Sequence, residues 1–209
     1  MTTVAKGARA REGMGTRQAI YEAALDAFAE NGYAGASLRD IARRVGIEVA
    51  SLYNHIDSKE ELLFRIIETT SNEMVDELRA AIDAAPPGDP RQRLLQATAQ
   101  NIIFHASRPR NSFVGNVELR SLTPEHYMQA IRWRHEVETL FINLVQECVD
   151  ADFLPADSQV KVVAYHLLAL GTTVPAWFDQ SGPLSPADIA ASAAELVLHG
   201  LRKRSPHQR

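Results

Sequence analysis

Cysteine is almost missing from this chain. Cys148 is the single one in 209 residues, which excludes an internal disulfide and suits a reducing cytoplasm. Long apolar runs are missing as well. No stretch reaches the ~18 uninterrupted apolar residues of a membrane span, and Met1 to Met14 lacks the apolar core of a signal peptide. A soluble cytoplasmic protein with no membrane partner is expected. There is no excess of positive charge. The chain holds 22 lysines and arginines against 26 acidic residues. Nine of each lie in residues 1–65. Any affinity for nucleic acid must therefore come from local placement of charge, not from bulk attraction. Catalytic signatures are absent too. The seven histidines (His55, His105, His126, His135, His166, His199, His207) make no HExxH and no close pair with a cysteine. There is no GxSxG, no phosphate-binding glycine loop and no dinucleotide fingerprint. His105, His166 and Glu118 would form an acid–base set only by an accident of folding. No enzyme, cofactor or metal site is expected.

What the chain does have is helical periodicity with clear punctuation, and no competing strand pattern. With 45% hydrophobic residues it can build a sizeable core. The spacing predicts an all-α fold of about nine helices. The first runs from Thr16 to Asn31 and ends at Gly32. Ser58 caps a long helix reaching Ala84, with Glu61 completing a capping box, and the PPGDP at 86–90 stops it. Asp89 and Pro90 start a helix to Ser107. A short one follows from Asn111 to Ser121, and a long one from Thr123 and Pro124 to Ala151. Asp157 opens the next, expected to reach Phe178 with a kink at Pro175. The last runs from Pro186 to Arg202, where Arg202, Lys203 and Arg204 complement its C-terminus.

Residues 37–59, SLRDIARRVGIEVASLYNHIDSK, carry the most information. A helix over Leu38–Val45 is capped by Ser37, with Asp40 as the acidic half of a capping box. Ile41, Ala42 and Val45 form its buried face. Gly46 supplies the positive φ of a turn. A second helix over Val49–His55 turns Leu52 inward and leaves Ser51, Tyr53, Asn54 and His55 outward. This is the layout of a helix-turn-helix reader of duplex DNA. Ser51, the Tyr53 hydroxyl and Asn54 can donate or accept at base edges or phosphates. Ser37, Arg39, His55 and Lys59 are placed to approach the phosphate backbone. No long cationic side chain sits in the second helix, so shape readout is expected to contribute.

The run of Ala42, Gly46, Leu52, Tyr53, His55, Ser58, Lys59, Leu62 and Leu63 resembles the signature of the TetR family of transcriptional regulators. Ile20, Ala23, Ala24, Phe28, Gly32 and Tyr33 extend the match upstream, so residues 16–65 carry it. Three positions depart from the pattern. Glu48 and Val49 stand where many members have a small polar residue and a basic one, and Glu48 would repel nearby phosphates. Ile56 replaces the usual phenylalanine. The resemblance implies an N-terminal three-helix DNA-binding domain over 16–62 and an effector-binding and dimerisation domain over 63–209. Residues 1–15, with Lys6, Arg9 and Arg11, read equally as a basic arm touching phosphates or as a solvated tail.

The resemblance also implies a homodimer made by the last two helices, which matches two DNA half-sites about one turn apart. Residues 160–178 are apolar around nearly the whole circumference, and 186–201 are rich in alanine. For the helix from Pro124, Arg134 falls in the middle of an apolar face between Tyr127, Ala130 and Phe141. A guanidinium there needs a partner. Glu138, Glu118 or Asn116 could supply it, and so could an anionic group on a ligand. Phe104, Phe113, Trp133, Phe141, Tyr165 and Trp177 are candidate walls of the same cavity. The segment WFDQSGPLSPADIA resembles members that sense acyl-CoA thioesters. The expected partners are therefore a double-stranded operator, a second subunit and a small amphipathic effector of the acyl-CoA class.

Overall fold

A computed structural model describes residues 15–200, with side chains as far as Val197. Arg202, Lys203, Arg204 and all of the 1–15 arm except residue 15 lie outside the described residues. Among the described residues there are nine α-helices and no strand. They are α1 (Thr16–Gly35), α2 (Leu38–Val45), α3 (Val49–Leu52), α4 (Lys59–Asp83), α5 (Pro90–Ser107), α6 (Pro109–Val117), α7 (Pro124–Asp150), α8 (Val160–Thr172) and α9 (Pro186–Gly200). No described helix is long and apolar enough to cross a membrane.

The local chemistry explains most of these boundaries. Ser37 Oγ accepts from Asp40 N at 3.1 Å, Ser58 Oγ from Glu61 N at 3.0 Å, and Asp89 Oδ1 from Gln92 N at 3.0 Å. The expected reciprocal halves at Asp40 and Glu61 are diverted. Asp40 pairs with Arg43 and Arg44, and Glu61 with Arg65. An ion pair one turn on outcompetes the reach back to the cap. Only before α9 is the capping box reciprocal, with Ser185 Oγ accepting from Asp188 N and Asp188 Oδ2 from Ser185 N. Gly32 adopts φ 68 inside α1, so the chain bends where the helix was expected to end. Gly46 adopts φ 85 and closes α2.

Three helices differ from expectation. α3 is one turn long instead of reaching His55. Beyond it Asn54 N donates to Ser51 O and His55 N to Leu52 O, a tighter three-residue winding. The expected 111–121 helix is α6 followed by a separate 3-10 turn, Glu118–Ser121. α8 begins three residues late and does not run through Pro175. Proline has no N–H and clashes with the carbonyl four residues back, so α8 stops at Thr172, and Pro175 sits in a 3-10 turn, Val174–Ala176.

The chain divides into two compact units. One holds the described residues to Thr70 together with Arg110–Ile131, and the other holds Ser71–Pro109 with the residues from Arg132 onward. The division is not at the expected 62/63 boundary, because α4 is divided near its middle and 110–131 belongs with the N-terminal helices. The first unit buries Ile20, Ala23, Ala24 and Phe28 of α1 with Ile41, Ala42, Leu52 and Leu63. In the second, Phe104, Phe141, Leu144, Val145 and Leu167 share one core, and α5 packs against both α8 and α9. At the α5–α8 crossing a Cβ on Gly171 would lie 2.8 Å from the Asn101 carbonyl oxygen, so only glycine permits the approach.

Candidate DNA-binding surface

The helix-turn-helix rests on a rigid base. Arg44 of α2 donates to Asp40 at 2.9 Å and to Glu30 of α1 at 2.6 Å. The hydrogen bond from Arg44 holds the Glu30 carboxyl below its ordinary range. Burial alone would raise Asp40, but its bonds from Arg43 and Arg44 bring it below the ordinary value. The guanidinium is thus a cross-link between α1 and α2, and neither carboxylate is free to repel DNA phosphates.

On this base Leu52 is fully buried, and Tyr53 next to it is 55% exposed. Asn54 is exposed, Ser51 and His55 are half-buried, and Arg39 and Ser37 are exposed. Leu52 inward with Tyr53 and Asn54 outward agrees with the expected assignment, whereas Ser51 and His55 are half-buried and the winding tightens. Lys59 does not behave as expected. Its Nζ donates to Tyr33 O and Ala36 O, both at 2.9 Å, and sits 4.3 Å from the Tyr33 ring centroid. Two of its three donors are used to fasten α4 to the segment before α2, so Lys59 is a clamp within the module. A lone lysine gives no sign in sequence of whether it points to solvent or to backbone carbonyls.

Residues 110–131 complete this unit. Arg110 pairs with Asp26, and Asn111 Nδ2 donates to Thr70 Oγ1 at 3.1 Å. Glu118 Oε1 accepts from Tyr33 N at 2.9 Å, beside the Gly32 bend. Glu60 Oε1 accepts from Thr123 N at 2.9 Å, and His126 Nδ1 lies 2.9 Å from the same oxygen while its ring stacks on Phe64 at 3.7 Å. Glu118, expected in an effector cavity, instead caps backbone of the DNA module. Sequence separation of 85 residues hid this pairing.

The other expected effector residues are divided between the two units and differ in burial. Phe104 and Phe141 are fully buried core, and Arg108 lies over the Phe104 ring while pairing with Glu77 at 2.5 Å. Phe113 and Asn116 are exposed residues of α6, and Trp133 is half-buried. Arg134 is exposed rather than set in an apolar face. It shares an angle on α7 with Phe141, but seven residues separate them by about 10 Å along the axis, and angular position alone did not reveal that. Glu138 meets His135 at 3.1 Å. Tyr165 is 47% exposed, because α8 buries the side carrying Ala164, Leu167 and Gly171, and Trp177, which follows the Val174–Ala176 turn, is 59% exposed. Two surface depressions of about 370 and 480 Å³ are lined by neither these residues nor each other's. Sequence reading missed Asn101, which is fully buried. Its Nδ2 donates to Leu168 O at 3.2 Å, and its Oδ1 has no hydrogen-bond partner. His105, one turn on, is held neutral by burial, its pKa pushed down to about 4.

The family model for bacterial regulatory proteins of the tetR family matches residues 20–66, and that for the tetracyclin repressor-like C-terminal domain matches residues 87–201. The chain belongs to the TetR family. Its members are transcriptional regulators, so this chain is a DNA-binding regulator. The HTH-type transcriptional repressor KstR2 of Mycobacterium tuberculosis is 25% identical over 190 residues, covering 90% of this chain and 93% of the relative. A tetR-family regulatory protein from Rhodococcus RHA1 superposes with a TM-score of 0.80 at 28% identity, over 91% of this chain and 98% of that one. AibR, solved with isovaleryl coenzyme A and operator DNA, gives a TM-score of 0.77 at 22% identity, over 87% and 97%. Membership accounts for the regulator signature in residues 37–59.

Proposed function

We propose that the protein is a cytoplasmic homodimeric repressor that leaves a palindromic operator when a small amphipathic effector, an acyl-CoA thioester, binds its C-terminal domain. The observation that carries the operator reading is exposed Tyr53 and Asn54, with half-buried Ser51, beside buried Leu52, on a module in which Arg43 and Arg44 pair with Asp40 and Glu30. Recognition then places this element in the major groove, with Ser37 and Arg39 toward phosphate. Two features support the dimer. α8 leaves Val162 and Tyr165 exposed, one helical turn apart, and α9 leaves Leu196 68% exposed. These are large apolar side chains that a second copy would cover.

The effector reading has two supports. AibR, a protein of similar fold, was solved with isovaleryl coenzyme A and operator DNA, which supports the ligand class. Asn101 Oδ1, buried and unpaired, would accept an N–H such as the amides of a pantetheine arm provide. Release follows if the ligand binds more tightly to a separation of the two reading heads that misses one turn of DNA. The test is footprinting of the pure protein on DNA upstream of its own gene at defined salt, followed by addition of acyl-CoAs. A protected pseudo-palindrome that disappears with one acyl chain length supports the proposal. Protection that no acyl-CoA alters, with calorimetry also silent, removes the effector class and leaves the operator reading standing.

A further inference from the structure

Between Gly46 and Ile56 the chain contains no lysine or arginine, and Glu48 is the sole carboxylate. Glu48 occupies the cap position of α3, where its carbonyl accepts from Ser51 N at 2.9 Å and Leu52 N at 3.2 Å. Serine, threonine, aspartate and asparagine are preferred there because their short side chains can turn back to the helix amides. The glutamate side chain makes no such bond and is exposed. The side chain therefore does not cap the α3 amides, and on the operator reading it stands at the end of the helix that enters the major groove first. A carboxylate on that surface meets either phosphate, which repels it, or a base edge.

The base edges decide which outcome is favourable. In the major groove guanine offers two acceptors, and thymine offers an acceptor and a methyl. Adenine sets an acceptor beside its amine, and cytosine alone offers a donor without an adjacent acceptor. We infer that Glu48 is a specificity-determining residue that selects a cytosine in each operator half-site through the base's exocyclic amine. This rests on the operator reading proposed above. The departure from a small polar residue then exchanges a sequence-independent phosphate contact for a base contact. The protein gives up general DNA affinity and gains discrimination.

The experiment is selection of bound fragments from a random duplex library at fixed salt, using the wild-type full chain, Glu48→Ala and Glu48→Gln. Both substitutions are at an exposed site and leave the core untouched. Wild type should demand cytosine at one symmetric position. Glu48→Ala should lose about five- to tenfold of that preference per half-site while other positions keep theirs. Glu48→Gln should move the preference toward adenine, whose N6 and N7 a glutamine amide matches. Identical base preferences in all three proteins, with the variants binding every sequence more tightly, would overturn the assignment and make Glu48 a simple repulsive charge. If the wild-type protein enriches no sequence, the operator reading itself fails and takes this inference with it.

Discussion

Tyr53 and Leu52 are neighbours in sequence with opposite fates, 55% and 0% exposed. This single step separates a side chain that the fold buries from one that it leaves at the surface. Tyr53→Ala should lower operator affinity by about tenfold or more, as loss of a good base or phosphate contact does, without moving the melting temperature. A gel-shift titration paired with a thermal melt checks both halves. His105 sets a pH limit. Its folded pKa of about 4 lies below the ordinary histidine value of 6.5. Above 6.5 both folded and unfolded chains keep it neutral. Between 6.5 and 4 the unfolded chain takes up the proton and the folded one does not, so stability falls as pH falls, by roughly 3 kcal/mol across that window. His105→Gln should flatten denaturant stability over this range. The Glu30 and Asp40 carboxylates, lowered by their arginines, contribute at a lower pH, where acid begins to protonate them. Cys148 is buried, donates to Pro90 O at 3.4 Å, and burial raises its thiol to about 11. It should not react with a thiol reagent in the native protein.

Elements succeed or fail here by their ends and their crossings. The bounds of α2 and α5 were legible because Ser37, Gly46, Asp89 and Pro90 are specific local signals. The start of α8 was not, since Asp157 looked like a cap but Gln159 occupies that position. The α5–α8 crossing depends on Gly171, whose missing Cβ admits Asn101. Gly171→Ala should destabilise the fold by roughly 1–3 kcal/mol through overpacking against backbone. Chemical denaturation at constant protein concentration measures it, and an unchanged midpoint would mean that the two helices separate easily.

At the scale of the whole molecule, the apolar stripe of α8 and the exposed Leu196 of α9 remain without cover in one chain. A double variant, Tyr165→Glu with Leu196→Glu, should yield a folded monomer in sedimentation equilibrium at micromolar concentration. Its operator affinity should fall sharply, because one reading head engages one half-site and the gain from linking two is lost. A variant that stays dimeric would place the interface elsewhere.

The helical class, the turn at Gly46, the caps at Ser37, Ser58 and Asp89, and inward Leu52 beside outward Tyr53 and Asn54 were legible in the sequence. These follow from short-range periodicity and φ preferences, which act within a few residues. The partners of Lys59 and Glu118 and the exposure of Arg134 came from the tertiary structure. A charged side chain's partner is set by what the fold brings within 3 Å, and for Glu118 that was the Tyr33 amide, 85 residues away. The differing burial of the expected effector residues was hidden for the same reason. A helical projection reports the direction of a side chain from the axis, whereas its burial depends on which neighbouring helix reaches that height.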